Sequence, residues 1–140
     1  MTPQQIELVQ SSFARVAPIA DTAAGLFYGR LFEIAPEVKP LFPRDMEGQG
    51  RKLMAALATV VAGLGRLEAL LPAIKAMAAR HVGYGVTAAH YAPVGTALIW
   101  TLEQGLGEGF TPEVREAWLS AYGALAGVMI AEAYGEEAAA

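Results

Sequence analysis

The sequence predicts an all-α domain, and three observations carry that prediction. Apolar residues recur at three- and four-residue steps along most of the chain, the spacing of one helix face. No stretch alternates apolar and polar residues as a half-buried strand would. Two segments, Thr2-Pro3-Gln4-Gln5 and Thr111-Pro112-Glu113, place a capping residue directly before a proline, which marks a helix start. Six or seven helices with short connections are expected.

The first helix runs roughly from Pro3 to Ala17, with Ile6, Val9, Phe13 and Val16 on its apolar side. Pro18 disturbs it, and Asp21 or Thr22 is expected to help start the second helix. That helix carries Phe27, Leu31 and Ile34 on one stripe and Tyr28 and Phe32 on the next, so it should be packed on more than one side. Ala35-Pro36 ends it. The segment from Pro36 to Pro43 reads as a compact, proline-punctuated turn, and Arg44 to Gly48 as a polar loop.

A third helix is expected from about Gln49 to Leu64. Gln49 stands one turn before Leu53 on the face continued by Leu57, Val60 and Val61. Leu70 to Gly85 forms the next, with Pro72 in its first turn. Leu70, Ile74, Met77/Ala78 and His81 share its apolar face, so an imidazole points inward. Thr87 caps a helix carrying Tyr91, Val94, Leu98 and Leu102, with Pro93 in its first turns. Gly105 to Gly109 is a loop, and Val114, Trp118, Tyr122, Leu125 and Met129 mark the last helix. Residues 1–135 are taken as one domain and 136–140 as a flexible tail.

Composition narrows the function. With no cysteine among 140 residues, disulfides, thiolate metal sites and a cysteine nucleophile are excluded. A net charge of −4 argues against nucleic acid as a partner. The N-terminus lacks a signal-peptide pattern, and the uncharged run Val82 to Leu102 is broken by glycine, proline and His90, so a cytoplasmic protein with no membrane partner is expected. Gly105-x-Gly107-x-Gly109 follows a helix rather than a strand and is no nucleotide loop. Ser11, Ser12 and Ser120 lie within predicted helices, outside any nucleophile elbow. Two histidines without cysteine do not make a structural zinc site. His90 reads as a partly exposed neighbour of a helix start.

The inward His81, with Tyr28 and Gln49 on inner faces and Phe42 after the proline turn, could line a cofactor pocket. An iron porphyrin needs an imidazole ligand, an apolar slot, and a hydrogen-bond donor across from that ligand. A phenol or amide aimed at a partly anionic diatomic ligand contributes roughly 1.5–3 kcal/mol. Taken singly, each of these residues is better explained by core packing or by a helix start.

Tyr28-Gly29-Arg30-Leu31-Phe32, Pro36-Glu37-x-x-Pro40-Leu41-Phe42, Gln49-Gly50-Arg51-Lys52-Leu53, Arg80-His81-x-x-Tyr84, His90-Tyr91-x-x-Val94-Gly95 and Ala117-Trp118-x-x-Ala121-Tyr122-Gly123 occur in this order. Together they resemble the single-domain bacterial globins, similar to the haem domain of flavohaemoglobins, over nearly the whole chain. The resemblance implies a globin fold of six to eight packed helices enclosing haem b. It implies His81 as the iron ligand, Phe42 wedged against the porphyrin, and Tyr28 and Gln49 as the distal polar pair acting on the ligand. Leu53, Leu57, Ile74, Met77, Tyr84, Val86, Tyr91, Val94 and Leu98 complete the expected haem-contacting set. Tyr91 would join a histidine–tyrosine–glutamate network, with Glu132 the nearest candidate for its acid.

The implied ligands are O2, nitric oxide and other small haem ligands. The implied activity is reversible O2 binding with nitric oxide dioxygenation, which makes nitrate. The chain stops near residue 140, so no flavin and nicotinamide domain is expected and turnover would draw on a separate reductase. An O2 carrier, store or scavenger without turnover is the alternative; a gas sensor and a haem-free helical interaction module rank below it. A monomer or weak dimer is expected.

Overall fold

A computed structural model describes residues 1–42, 46–83 and 87–134. Six α-helices carry the architecture: α1 (Pro3–Val16), α2 (Ala20–Ile34), α3 (Met46–Ala62), α4 (Leu67–Gly83), α5 (Tyr91–Leu106) and α6 (Pro112–Tyr134). Short 3-10 turns join them, and no strand occurs among the described residues. The all-α expectation is met. Among those residues no single helix is long and apolar enough to cross a membrane.

Local chemistry explains most helix ends. Thr2 accepts from the Gln5 backbone N–H at 3.1 Å, and the Gln5 side chain accepts from the Thr2 N–H at 3.0 Å, closing the reciprocal cap at the start of α1. Thr111 caps α6 by accepting from the Val114 N–H at 3.3 Å. Pro18 sits in a 3-10 turn, Ala17–Ile19, that runs straight into α2. Neither Asp21 nor Thr22 caps that helix; Asp21 instead lies in its first turn, where a carboxylate suits the helix dipole.

Three boundaries differ from the sequence reading. Helix α3 begins at Met46, so Met46 to Gly48, expected as loop, are helical. Polar composition hid this start, although Glu47 is well placed in a first turn and Met46 packs on the core. Helix α4 begins at Leu67, directly after a 3-10 turn at Leu64–Arg66, so Pro72 falls inside the helix rather than in its first turn. Its exposed position leaves the backbone carbonyl that it cannot serve open to water. Helix α5 continues through Gly105 and Leu106, and the expected glycine loop shrinks to a turn at Gly107–Gly109.

Packing forms two clusters. The larger joins α1, α2, α3, α5 and α6 around Val9, Leu31, Ala97, Leu102 and Trp118. The smaller joins α4, the start of α5 and the far part of α6 around Ile74, Ala78, Tyr91, Ala126 and Met129. Helix α2 packs on α5 and α3, while α4 packs chiefly on α6. Helices α3 and α4 thus pack chiefly on other neighbours rather than on each other. Inside the larger cluster a buried polar bond ties α6 to α1: the Trp118 indole donates to Ser12 Oγ at 2.8 Å, and Ser12 donates to the Leu8 carbonyl at 2.6 Å. This pairing satisfies an indole N–H that would otherwise be stranded in the core.

Candidate functional site

The inward face of α4 is as its periodicity requires. Ile74 and Ala78 are fully buried, and Leu70, Met77 and His81 are half-buried. His81 Nδ1 lies 2.7 Å from the Met77 carbonyl one turn earlier. A carbonyl can only accept, so in the neutral ring the proton sits on Nδ1 and the lone pair belongs to Nε2. Local helix geometry thus fixes the tautomer that a metal ligand needs. The Tyr91 ring lies 6.5 Å from the imidazole at an interplanar angle of 27°. Tyr91 is itself buried in the smaller cluster with Ile74.

The second group stands on α2 and α3. Gln49 Nε2 donates to the Tyr28 hydroxyl at 3.2 Å. Gly50 permits this approach, because a Cβ there would sit 2.9 Å from the Ala24 Cβ on α2. The amide serves the phenol oxygen, so the phenol hydrogen is left to donate elsewhere. Burial pushes the Tyr28 phenol above its ordinary value, opposed by the bond from Gln49. Tyr28 therefore stays a neutral donor at physiological pH. Phe42 follows a 3-10 turn, Pro36–Leu41, and its ring packs edge-on to Tyr28 at 5.2 Å and to Phe32 at 5.5 Å.

Of the other expected residues, Ile74 and Tyr91 are buried in the smaller cluster, and Met77 packs against both clusters. Val94 is half-buried on the larger one. Leu53, Leu57 and Leu98 line a small apolar cavity with Phe27, Met54 and Trp118, and Leu57 and Leu98 also reach a second one beside Val60 and Ala121. Tyr84 and Val86 lie outside the described residues, as do Pro43, Arg44 and the tail. His90 is half-buried and accepts from the Thr87 N–H at 3.0 Å, so it helps close the turn before α5.

Glu132 does not turn toward Tyr91. Its carboxylate lies 3.9 Å from Lys75 Nζ, and its side chain is 43% exposed. One residue of helix register is about 100° of rotation, enough to move a side chain from the inner face of α6 to its flank. Sequence reading also missed the bond from the Tyr122 hydroxyl to the Tyr91 carbonyl, at 2.6 Å. Tyr122 on an inner stripe was visible, but its acceptor is backbone on another helix.

The helical fold thus sets an imidazole beside one packing cluster and a phenol–amide pair on another. The globin family model matches residues 25–129. A flavohemoprotein of Rhodopirellula baltica is 33% identical over 133 residues, covering 93% of this chain and 33% of that protein. The flavohemoprotein of Bacillus subtilis is 29% identical over 128 residues, covering 89% of this chain and 32% of that protein. The chain thus spans about a third of the length of these curated relatives.

Among solved structures, a bacterial globin from Campylobacter jejuni matches with a TM-score of 0.84 at 25% identity, covering 94% of this chain and 96% of that one. An engineered carbene transferase built on a candidate nitric oxide dioxygenase from Rhodothermus marinus matches with a TM-score of 0.85 at 29% identity, covering 95% and 93%. This chain belongs to the globin family.

Proposed function

We propose that the chain is a cytoplasmic haem b protein that holds O2 tightly and, given electrons by a separate reductase, converts O2 and nitric oxide to nitrate. The observation that carries this reading is the bond from Gln49 to Tyr28, which leaves the phenol hydrogen as a donor with a fixed origin. The residues fit the group. His81 in its neutral form would hold the iron through Nε2, and Phe42, Leu53, Met77 and Val94 supply half-buried apolar surface. When bound, haem would supply the iron that takes up diatomic gases and gives up the one electron that a reductase must return.

The protein's own part is positional. The Met77 carbonyl holds the His81 proton at Nδ1, and Tyr91 flanks the ring. Gln49 steadies the phenol oxygen, and Tyr28 would donate to a partly anionic haem ligand. Charge-assisted donation of this kind slows ligand escape. The flavohemoprotein relatives and the Rhodothermus neighbour favour the nitric oxide reaction.

A second reading, reversible O2 carriage or storage without turnover, is favoured by one observation. With Glu132 paired to Lys75, the His81 network receives no help from that carboxylate, so the imidazole donates less electron density. Spectra of the ferric, ferrous and oxygenated haem-loaded protein, followed by nitric oxide challenge with a reductant, test both. A stable oxygenated form and repeated nitrate formation support the main reading. One nitrate per site, and no more with any reductase tried, transfers the case to carriage; absence of an oxygenated form refutes both.

A further inference from the structure

We propose that unpaired cations beside the haem-holding residues form a docking rim for a separate electron-donating flavoprotein with an acidic face. This rests on the proposed function and names the chemistry of the partner that it calls for.

Charge is divided along the chain. Residues 36–83, from the Pro36–Leu41 turn through α3 and α4, hold seven lysines and arginines and four acids. The remainder holds three and ten, so a segment of +3 stands against a remainder of −7. The positive segment is the one that carries Phe42, Gln49, Leu53, Met77 and His81.

Four of its cations are exposed within one turn of these residues. The Phe42 N–H donates to the Lys39 carbonyl at 3.1 Å, so the two stand one 3-10 turn apart. Arg51 and Lys52 lie between Gln49 and Leu53 on α3, and Arg80 precedes His81 on α4. Side chains brought to one haem bring these neighbours to its rim. Among the described residues none of the four has a side-chain partner. Other cations are engaged: Arg30 bonds Glu33 at 3.3 Å, Lys75 lies 3.9 Å from Glu132, and Arg15 donates to the Gly109 carbonyl at 3.4 Å.

A rim of one sign speeds encounter with an opposite charge by about 10- to 1,000-fold, a gain that falls with salt. The nitric oxide reaction leaves the iron one electron short, so the partner to be admitted is the one that returns it. The reduced flavin gives up one electron, the ferric iron takes it, and no bond forms between the proteins. A membrane suits the rim less well. Exposed neighbours on α3 and α4 include Ala55, Ala58, Ala76 and Ala79, which offer a bilayer little apolar area.

The test reduces the ferric haem-loaded protein with flavodoxin hydroquinone, an acidic flavoprotein donor, and with photoreduced lumiflavin, a small neutral one. Rates are compared at about 0.01 M and about 1 M salt, where the Debye length is about 30 Å and about 3 Å. Arg51→Glu with Lys52→Glu should slow flavodoxin about tenfold or more at low salt and less than about twofold at high salt. Arg66→Glu with Arg115→Glu makes the same change of net charge away from the rim, and should slow it less than about threefold. Lumiflavin should reduce all three proteins alike.

Carbodiimide cross-linking to oxidised flavodoxin gives a readout that needs no haem. Of the three lysines in the chain, Lys39 and Lys52 should cross-link, and Lys75, beside Glu132, should not. Equal slowing in both double variants, equal slowing with lumiflavin, or cross-links chiefly at Lys75 or the N-terminus would overturn the proposal. So would sedimentation with phosphatidylglycerol vesicles together with flavodoxin rates that ignore salt, which would make the rim a membrane contact. If the wild type carries no haem, the haem reading fails first. The cross-links then still decide whether the rim takes an acidic protein: Lys39 and Lys52 support it, and their absence refutes it.

Discussion

Tyr28→Phe separates the two distal donors. The substitution removes one hydroxyl and leaves a ring that still packs at 5.0 Å on Phe27 and 5.2 Å on Phe42. Two interactions go with it. Donation from the phenol to a partly anionic ligand is worth about 1.5–3 kcal/mol, or about tenfold to a hundredfold in escape rate. The 3.2 Å bond from Gln49 also disappears, which frees a half-buried amide to turn and donate in the phenol's place. That compensation recovers about 1 kcal/mol, which leaves about 0.5–2 kcal/mol, so the O2 dissociation rate should rise about two- to thirtyfold.

Gln49→Leu removes only the steadying bond and should cost about fivefold. Because Gln49 compensates only while it is present, the double variant also loses that donation and should release O2 about fivefold faster than Tyr28→Phe alone. Stopped-flow displacement of O2 by carbon monoxide measures all three rates. An unchanged rate in Tyr28→Phe, or a double variant that releases O2 no faster than Tyr28→Phe alone, would refute the reasoning.

Other expectations follow from the same geometry. Ser12→Ala strands the Trp118 indole N–H in the core and should cost about 1–3 kcal/mol by urea denaturation, with an unchanged slope. Tyr28 and Tyr122 both have raised values, so the fold holds their protons more tightly than the unfolded chain does. Stability from these groups is complete below about pH 10, the unfolded value, and declines as pH rises toward their folded values. Denaturation midpoints should hold up to about pH 10, the value of free tyrosine, and fall above it, less steeply in Tyr122→Phe. Glu132→Gln should leave the iron–histidine band in place; a shift would show that this carboxylate reaches the proximal side after all.

Helix faces were readable because burial imposes a period. Ile74, Ala78 and His81 follow it on α4, and Val114, Trp118 and Met129 on α6. Helix starts were readable where a side chain does the capping, as at Thr2 and Thr111. They were misread where none does: α2 follows a 3-10 turn without a side-chain cap, and α4 begins five residues before its proline. Side-chain pairing across helices was out of reach. That Gln49 bonds Tyr28 depends on how closely Gly50 lets α3 approach α2, and that Glu132 meets Lys75 depends on the rotation of α6. The Tyr122 bond ends on a backbone carbonyl, which no residue pattern can announce.

Haem titration of the apoprotein, comparing wild type with His81→Gly in the presence and absence of free imidazole, tests the central claim most directly. Wild type should take up one haem with a five-coordinate ferrous spectrum. His81→Gly should lose that spectrum and regain it when imidazole is added, because the cavity left by the side chain admits the missing ligand. An unchanged spectrum and affinity in His81→Gly without imidazole would contradict the assignment of His81 as the iron ligand.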